Sequence, residues 1–191
     1  MGNNKSTVSV WYILGVGIVS FVLAAIFFNL SQLLAQKLNN LFISAFFLIL
    51  IILIGIIFDT VGTSAAASTE ATFHSRAAKK VTGARQSVYL VRNADKVANI
   101  ANDVVGDIAG TVSGALGIAL VLQIVSYYPG INKFLLTMII TAVIAAITVS
   151  GKAFGKKTAL SKGNDIIFIV GKIIAGIEKF TGYDFVPQRR R

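Results

Sequence analysis

Oxygen-bearing side chains stand where a long apolar segment ends. The stretch IILIGIIFDTVGTSAAAS places Asp59, Thr60 and Thr63 directly after an isoleucine-rich run, and Asn102 and Asp107 stand near the start of another apolar segment. Carboxylate, hydroxyl and amide oxygens are the ligands that hard cations such as Mg²⁺ and Ca²⁺ take. A charge inside a span costs at least about 2.5–3.5 kcal/mol, so it is paired, faces a cavity or carries function. We therefore treat Asp59 and Asp107, which stand at similar depth on their segments, as a candidate metal site. The alternative is that the two acids reach the interface from helix ends and bind nothing.

The composition indicates a membrane protein. The chain has 191 residues, of which 55% are hydrophobic and 14% charged, and its mean hydropathy is +0.76. Soluble domains carry about 25% charged residues. There is no cysteine and one histidine, His74, which excludes thiolate and multi-histidine metal sites. We find no nucleophile–base spacing and no phosphate-binding glycine loop, and so expect neither an enzyme nor a nucleotide-binding protein.

Four apolar segments are candidates for membrane spans: residues 8–34, 41–58, 104–128 and 134–149. A spanning helix needs about 20 apolar residues, and the two shorter segments extend into small residues. The sequence YYPGIN from Tyr127 predicts a tight turn, so the last two spans form an antiparallel hairpin. The expected fold is all-α, with about four transmembrane helices.

The basic residues predict the orientation of these spans. The connections after the first and third spans carry only Lys37 and Lys133. The other connection and the two termini carry all the rest: Lys5, Arg76, Lys79, Lys80, Arg85, Arg92, Lys96, Lys152, Lys156, Lys157, Lys162, Lys172, Lys179 and Arg189–Arg191. Because basic residues accumulate on the cytoplasmic side, we expect a multi-pass protein of the cell membrane with both termini in the cytoplasm. The net charge of +10 then indicates anionic lipid headgroups, not nucleic acid, as the partner.

Two further segments have helical spacing and basic flanks. In residues 72–100, apolar side chains recur at three- and four-residue spacing: Phe73, Ala77, Val81, Ala84, Val88 and Val91. Gly83 is expected to divide this segment into two helices. In residues 164–177 a second stripe comprises Ile166, Ile169, Val170, Ile173, Ile174 and Ile177. Basic amphipathic helices beside spans lie on the inner membrane surface, so we predict two such juxtamembrane helices, followed by a basic cytoplasmic tail at residues 178–191. For the first, a solvated helical hairpin is the alternative.

A ridge of small residues marks the third span. Gly106, Gly110, Gly114 and Gly117 follow one another at spacings of four, four and three. In lipid, small residues let helix backbones approach closely. The ridge predicts a homodimer interface or a tight contact with the second span, and an ordinary packing ridge is the alternative.

Several motifs resemble the transmembrane domain of the CorB/CorC and cyclin M (CNNM) magnesium transporters. They are FDTVGTSAAAS from Phe58, GARQSVYL from Gly83, VGDIAG from Val105 and GKAFGKKTALSKGNDII from Gly151. RNADKV and NDVVGD, from Arg92 and Asn102, are similar to short CorB-like proteins without CBS domains. The resemblance implies a transporter-like domain at residues 41–177 and an extra N-terminal transmembrane helix at residues 1–40. It also implies Mg²⁺ or another hard cation as ligand, bound by oxygens of Asp59, Thr60, Thr63, Asn102 and Asp107. It implies no nucleotide control, because the CBS pair is absent.

One departure from the family pattern concerns charge. Lys152 stands where the family carries a glutamate. Our hypothesis is that Lys152 approaches Asp59 or Asp107 and neutralises the cation site. Two functions therefore remain: a divalent-cation transporter, or a non-transporting membrane scaffold, accessory subunit or sensor in which Lys152 supplies the positive charge.

The predicted topology can be tested by cysteine labelling, because the chain has no native cysteine. A membrane-impermeant maleimide should label Asn39→Cys and Asn132→Cys in intact cells, and Arg85→Cys only after permeabilisation. Labelling of Arg85→Cys from outside would contradict the orientation.

Overall fold

The computed structural model describes residues 10–38 and 40–186, and in them it is all-α with no strand. Its helices are α1 (Val10–Leu38), α2 (Leu41–Ala67), α3 (Ala71–Ala78), α4 (Ala84–Arg92), α5 (Ala94–Ala98), a π-helical segment (Asn99–Gly106), α6 (Asp107–Tyr127) and α7 (Lys133–Thr181). Lys5 and Arg189–Arg191, which entered the orientation argument, lie outside the described residues.

Three helical stretches are long and apolar enough to cross a membrane: Leu41–Ala67, Ala94–Tyr127 and Lys133–Thr181. A shorter apolar stretch, Leu14–Asn29, lies in α1. Among the described residues the structure thus supports three of the four predicted spans, and the number four is not confirmed. The two short predicted spans are longer as helices, because the small residues after Phe58 and Val149 continue α2 and α7.

Helices α2 and α7 run parallel in a close contact. A β-carbon added at Gly151 would overlap the Ile56 side chain, and one at Gly155 would overlap Thr60 Oγ1. Further along, Gly163 lies against Ser64, and Asn164 Oδ1 accepts a hydrogen bond from Thr69 N at 3.3 Å. The inward residues of α7 recur every fourth position: Gly151, Gly155, Ala159, Gly163, Ile167 and Gly171. This ridge, which the sequence analysis missed, allows the close approach.

Helix α6 runs antiparallel to both. The predicted turn connects it to α7, with Asn132 capping α7 by accepting from Leu135 N at 3.2 Å. A core of apolar side chains fills the space between α2, α6 and α7: Leu48, Ile51, Ile52, Val104, Ile108, Ala109, Val112, Leu116 and Ile144. Half-buried side chains of α1, among them Leu23 and Phe27, pack against this core.

The predicted glycine ridge of α6 is only half used within the chain. A β-carbon added at Gly106 would lie 3.8 Å from Gly55 O, and one added at Gly117 would overlap the Ile144 side chain. Among the described residues outside α6, no atom lies within 4 Å of a β-carbon added at Gly110 or Gly114. The predicted contact with the second span is therefore present at Gly106. The homodimer stays a prediction, and Gly110 and Gly114 are the glycines available for its interface.

The central connection folds into a hairpin of α3 and α4. Gly83 separates them with a left-handed φ of 86°, and its backbone faces Lys172 of α7 so closely that a β-carbon would lie 2.6 Å from Lys172 N. Phe73 of the predicted stripe is fully buried with Leu90 and Ile167 in a second core. The stripe thus serves in part to pack the hairpin against α2 and α7.

Helix α7 is far longer than a span. At about 1.5 Å per residue its 49 residues extend about 73 Å, more than twice the hydrocarbon thickness. Its course is interrupted at Lys162, where φ is −128° and ψ is 23°. The predicted helix at residues 164–177 is the part of α7 that follows this kink.

Gly155→Leu should destabilise the fold, since its side chain would meet Thr60 and force α7 away from α2. Overpacking of this kind costs about 1–3 kcal/mol, seen as a lower melting temperature in detergent. Gly110→Leu is the matched control and should change the monomer's stability by less than about 0.5 kcal/mol. Equal destabilisation by both variants would contradict the assignment of the ridges.

Candidate functional site

Three charged side chains lie at one depth in the helix bundle. Asp59 is about 27 Å along α2 from Leu41, Asp107 is about 30 Å from Tyr127, and Lys152 is about 28 Å from Lys133, at about 1.5 Å per residue. These lengths match the hydrocarbon thickness of about 30 Å. All three residues therefore stand at the same end of their spans.

Lys152 joins the two carboxylates. Its Nζ lies 3.9 Å from Asp59 Oδ1 and 3.5 Å from Asp107 Oδ1. The Asp59 side chain is only 5% exposed, whereas that of Asp107 is 72% exposed. The predicted approach of Lys152 to these acids is confirmed. Because Asp59 is enclosed and Asp107 is open to the surroundings, the contact with Asp59 is the one in which the charge matters most.

Glycines of α2 on either side of Asp59 bring the neighbouring helix close. A β-carbon at Gly55 would lie 2.9 Å from Ala109 Cβ, and one at Gly62 would overlap the Asn102 side chain. Without side chains at these two positions, the backbone of the π segment and α6 covers the face of α2 that carries Asp59. This packing is the physical reason that Asp59 is buried.

Asn102 reaches this face from the π-helical segment. Such a segment contains a wider turn than an α-helix, and π-helical turns are frequent at functional sites. Asn99 and Asp103 of the same segment pair with each other at 2.8 Å on an outer face, while Asn102 is directed at Gly62. The sequence analysis missed the π segment, and no feature of NIANDVVG that we recognise would have revealed it.

Two buried oxygens of the site accept no hydrogen bond from the described residues: Asp59 Oδ2 and Asn102 Oδ1. Both atoms are acceptors in the ionised carboxylate and the amide, so they cannot satisfy each other. Buried polar atoms normally have a partner, which here would be a water or a cation.

The two threonines of the candidate ligand set are used differently. Thr60 Oγ1 donates to Ile56 O at 2.7 Å and faces Gly155 of α7. Thr63 Oγ1 donates to Asp59 O at 2.8 Å. Thr60 therefore belongs to the contact between α2 and α7. Among the candidate ligands, Asp59 and Asp107 each place a carboxylate oxygen near Lys152 Nζ. Asn102 places its amide oxygen against Gly62.

A divalent ion does not fit this site as it stands. The ammonium group of Lys152 already lies at the carboxylate oxygens that would bind the ion, and a second positive charge there would be repelled. Within residues 10–38 and 40–186 no three His, Cys, Asp or Glu side chains form a group that could hold a metal ion. Lys152 is therefore the residue at which this site departs from the magnesium site that the resemblance implies.

A second polar cluster ties the end of α2 to α4. Arg92 donates to Glu70 Oε1 through Nε at 3.1 Å and through a terminal nitrogen, and His74 Nε2 lies 3.2 Å from the same oxygen. The hydrogen bonds from Arg92 hold the pKa of Glu70 below its usual value. This contribution to stability is present above the unfolded-state pKa of Glu70 and is lost as the pH falls through the lowered folded-state pKa.

Comparisons with protein-family models, curated proteins and solved structures find no match to this chain. The CorB/CNNM resemblance therefore stays a hypothesis that rests on the motifs quoted above.

The Asp59–Lys152 pair can be measured by a double-mutant cycle. Lys152→Met leaves Asp59 enclosed without its counter-charge and should lower the free energy of unfolding by about 3 kcal/mol. Asp59→Asn in the same chain should restore much of this loss, because no buried charge remains. The free energy is measured by titration with sodium dodecyl sulfate in mixed micelles.

Lys156→Met is the control for this cycle, as it removes an exposed lysine one turn further along α7. If the effects of Lys152→Met and Asp59→Asn simply add, the two side chains do not interact energetically.

Proposed function

We propose that the protein is a non-transporting membrane protein, a scaffold or accessory subunit, whose spans form a charge-compensated version of a cation site. The observation that carries the proposal is the position of Lys152 Nζ between Asp59 Oδ1 and Asp107 Oδ1. In this arrangement the ammonium group supplies the positive charge that Mg²⁺ supplies in the family that the sequence resembles.

The packing of the site supports a structural role for the pair. Lys152 follows Gly151, which lies against Ile56 of α2, and its Nζ is 3.6 Å from the β-carbon position of Gly106 in the π segment. One side chain thus contacts acids on α2 and α6 from α7. An ammonium held by three helices links the bundle at one depth, whereas a transport site has to release its cation.

A divalent-cation transporter is the second candidate, and one observation favours it. Asp59 Oδ2 and Asn102 Oδ1 are buried without a hydrogen-bond partner among the described residues. They could be ligands for a hard cation if Lys152 moved away, with Asp107 as a third. In that function Lys152 would be a displaceable counter-ion.

Ion-dependent thermal stability of the purified protein separates the two functions. The unmodified protein should show no stabilisation by MgCl₂ or MnCl₂ beyond that of choline chloride at equal ionic strength. Lys152→Glu should create an acidic cluster and gain stabilisation by Mg²⁺, about 2.7 kcal/mol when the ion is at 100 times its Kd. Lys156→Glu adds the same charge at an exposed position and should gain none.

Two results would contradict the proposal. Strong Mg²⁺ stabilisation of the unmodified protein, together with uptake of Mg²⁺ into proteoliposomes, would establish the transporter. Failure of Lys152→Glu to respond would show that these oxygens do not form a cation site in either version.

A further inference from the structure

The chain turns back on itself after α7. The helix ends at Gly182, whose φ of 70° is left-handed and whose N–H donates to Glu178 O at 2.9 Å. Glycine adopts this conformation without strain, so the chain can leave the helix axis here. We call residues 182–186 the strap. Its last residue, Val186, is 6% exposed, whereas the other four residues are exposed.

Polar contacts hold the end of the strap on α4 and α7. The Val186 N–H donates to Glu178 Oε1 at 3.1 Å, and the Val186 carbonyl oxygen accepts from a terminal guanidinium nitrogen of Arg85. The same nitrogen lies 3.9 Å from Asp184 Oδ1. Gln86 Nε2 donates to the second carboxylate oxygen of Glu178. One arginine of α4 thus contacts both a carboxylate and a backbone carbonyl of the strap.

Arg85 and Gln86 also line a cleft between the α3–α4 hairpin and α7. The cleft has a volume of about 280 Å³, and its walls include the apolar residues Val81 and Ala175 and the basic residue Lys80. Apolar walls with a few well-placed donors are typical of binding sites. The two α4 residues that hold the strap are therefore also residues of a cleft wall.

The strap is held by few buried apolar side chains. Tyr183 and Phe185 are 66% and 50% exposed, and their rings pack edge to face with centroids 5.2 Å apart. The side chains of Arg85 and Asp184 are 44% and 52% exposed, and ion pairs this exposed contribute little to stability. Segments with few buried apolar contacts open at low free-energy cost. The strap can therefore leave Arg85 while α4 and α7 stay folded.

We propose that the strap is an autoinhibitory segment that occupies a docking site for an acidic peptide of a partner protein. The strap itself shows the chemistry that the site accepts. Arg85 takes a carboxylate and a backbone carbonyl, and the aliphatic side chain two residues after the carboxylate, Val186, is buried. Lys79 and Lys80, which are exposed at the end of α3, complement an acidic partner. A peptide with an acid two residues before an aliphatic side chain replaces the strap.

This site is separate from the charged residues of the spans. Glu178 follows Lys152 by 26 residues, which is about 39 Å along α7. The inference therefore does not depend on the Asp59–Lys152 pair, and it holds for either candidate function.

Binding of a strap peptide to the purified full chain tests the proposal. The probe is a fluorescein-labelled peptide amide with the sequence of residues 181–186, TGYDFV. A second peptide, TGYNFV, lacks the carboxylate and is the control. Fluorescence anisotropy in detergent measures the Kd of each peptide.

The unmodified protein should bind TGYDFV weakly, because its own strap competes at a high effective concentration. The double variant Asp184→Asn with Val186→Ser should bind the peptide about tenfold more tightly or better, since its strap is released. Adding Arg85→Gln should reverse this gain, and TGYNFV should bind poorly to every variant. Asp165→Asn, which removes an exposed acid elsewhere on α7, should leave the weak binding unchanged.

Equal binding by the unmodified protein and the strap variant would overturn the proposal, and so would binding by neither. Unchanged affinity for TGYNFV, or after Arg85→Gln, would exclude recognition of the carboxylate by this arginine. Hydrogen exchange on the same samples should show faster exchange in the strap of the double variant and unchanged protection in α4. Loss of protection throughout α4 would show that the strap is a part of the fold that cannot be released, which also overturns the proposal.

Discussion

The close parallel contact between α2 and α7 is the constraint on which the rest of this structure depends. The contacts keep one register, because the contacting residues are 95 positions apart each time: Ile56 with Gly151, Thr60 with Gly155, and Thr69 with Asn164. Helices in lipid associate through packing and hydrogen bonds, because burying apolar surface gains little there. The hydroxyl-rich end of α2 suits this contact. Thr60, Thr63 and Ser64 each donate to a backbone oxygen of their own helix, Ser64 Oγ to Thr60 O at 2.7 Å, and so present a small surface to α7.

That contact also explains why an acid can be tolerated at Asp59. The register places Lys152 beside it, while Gly55 and Gly62 let the π segment and α6 close over the remaining face. A larger residue at any of these glycines would separate the helices and admit lipid or water to the carboxylate. The hydroxyls after Asp59 are thus explained chiefly by packing, and the carboxylate itself by its pairing with Lys152.

The sequence predicted the features that depend on order and composition. The helical class, the turn from Tyr127, the break at Gly83 and the approach of Lys152 to the two acids are all present. Features that depend on which side of a helix has a neighbour were harder to predict. Gly110 and Gly114 have the same spacing as Gly106, yet only Gly106 meets α2. The four-residue ridge of α7 was visible as GKAFG and the glycines after it, but the sequence analysis used the lysines between them for orientation and did not recognise a packing surface. The π segment has no local signature that we recognise, although it places Asn102 against Gly62.

The two candidate functions differ in which cation lies beside Asp59, the ammonium group of Lys152 or a metal ion. Asp59 is well enclosed, so its ionised form is stabilised by a cation beside it, and Lys152 Nζ and a metal ion would compete for the same Oδ1. Asp107 distinguishes the two cations less than Asp59 does, because its side chain is 72% exposed. A tethered ammonium also has an advantage that a free ion lacks, since it is held beside the carboxylate by the α2–α7 register and no ion has to be captured from solution. As long as Gly151 and Gly155 keep α7 against α2, Lys152 stays beside Asp59, and for this reason we propose a permanent counter-ion and not a transported one.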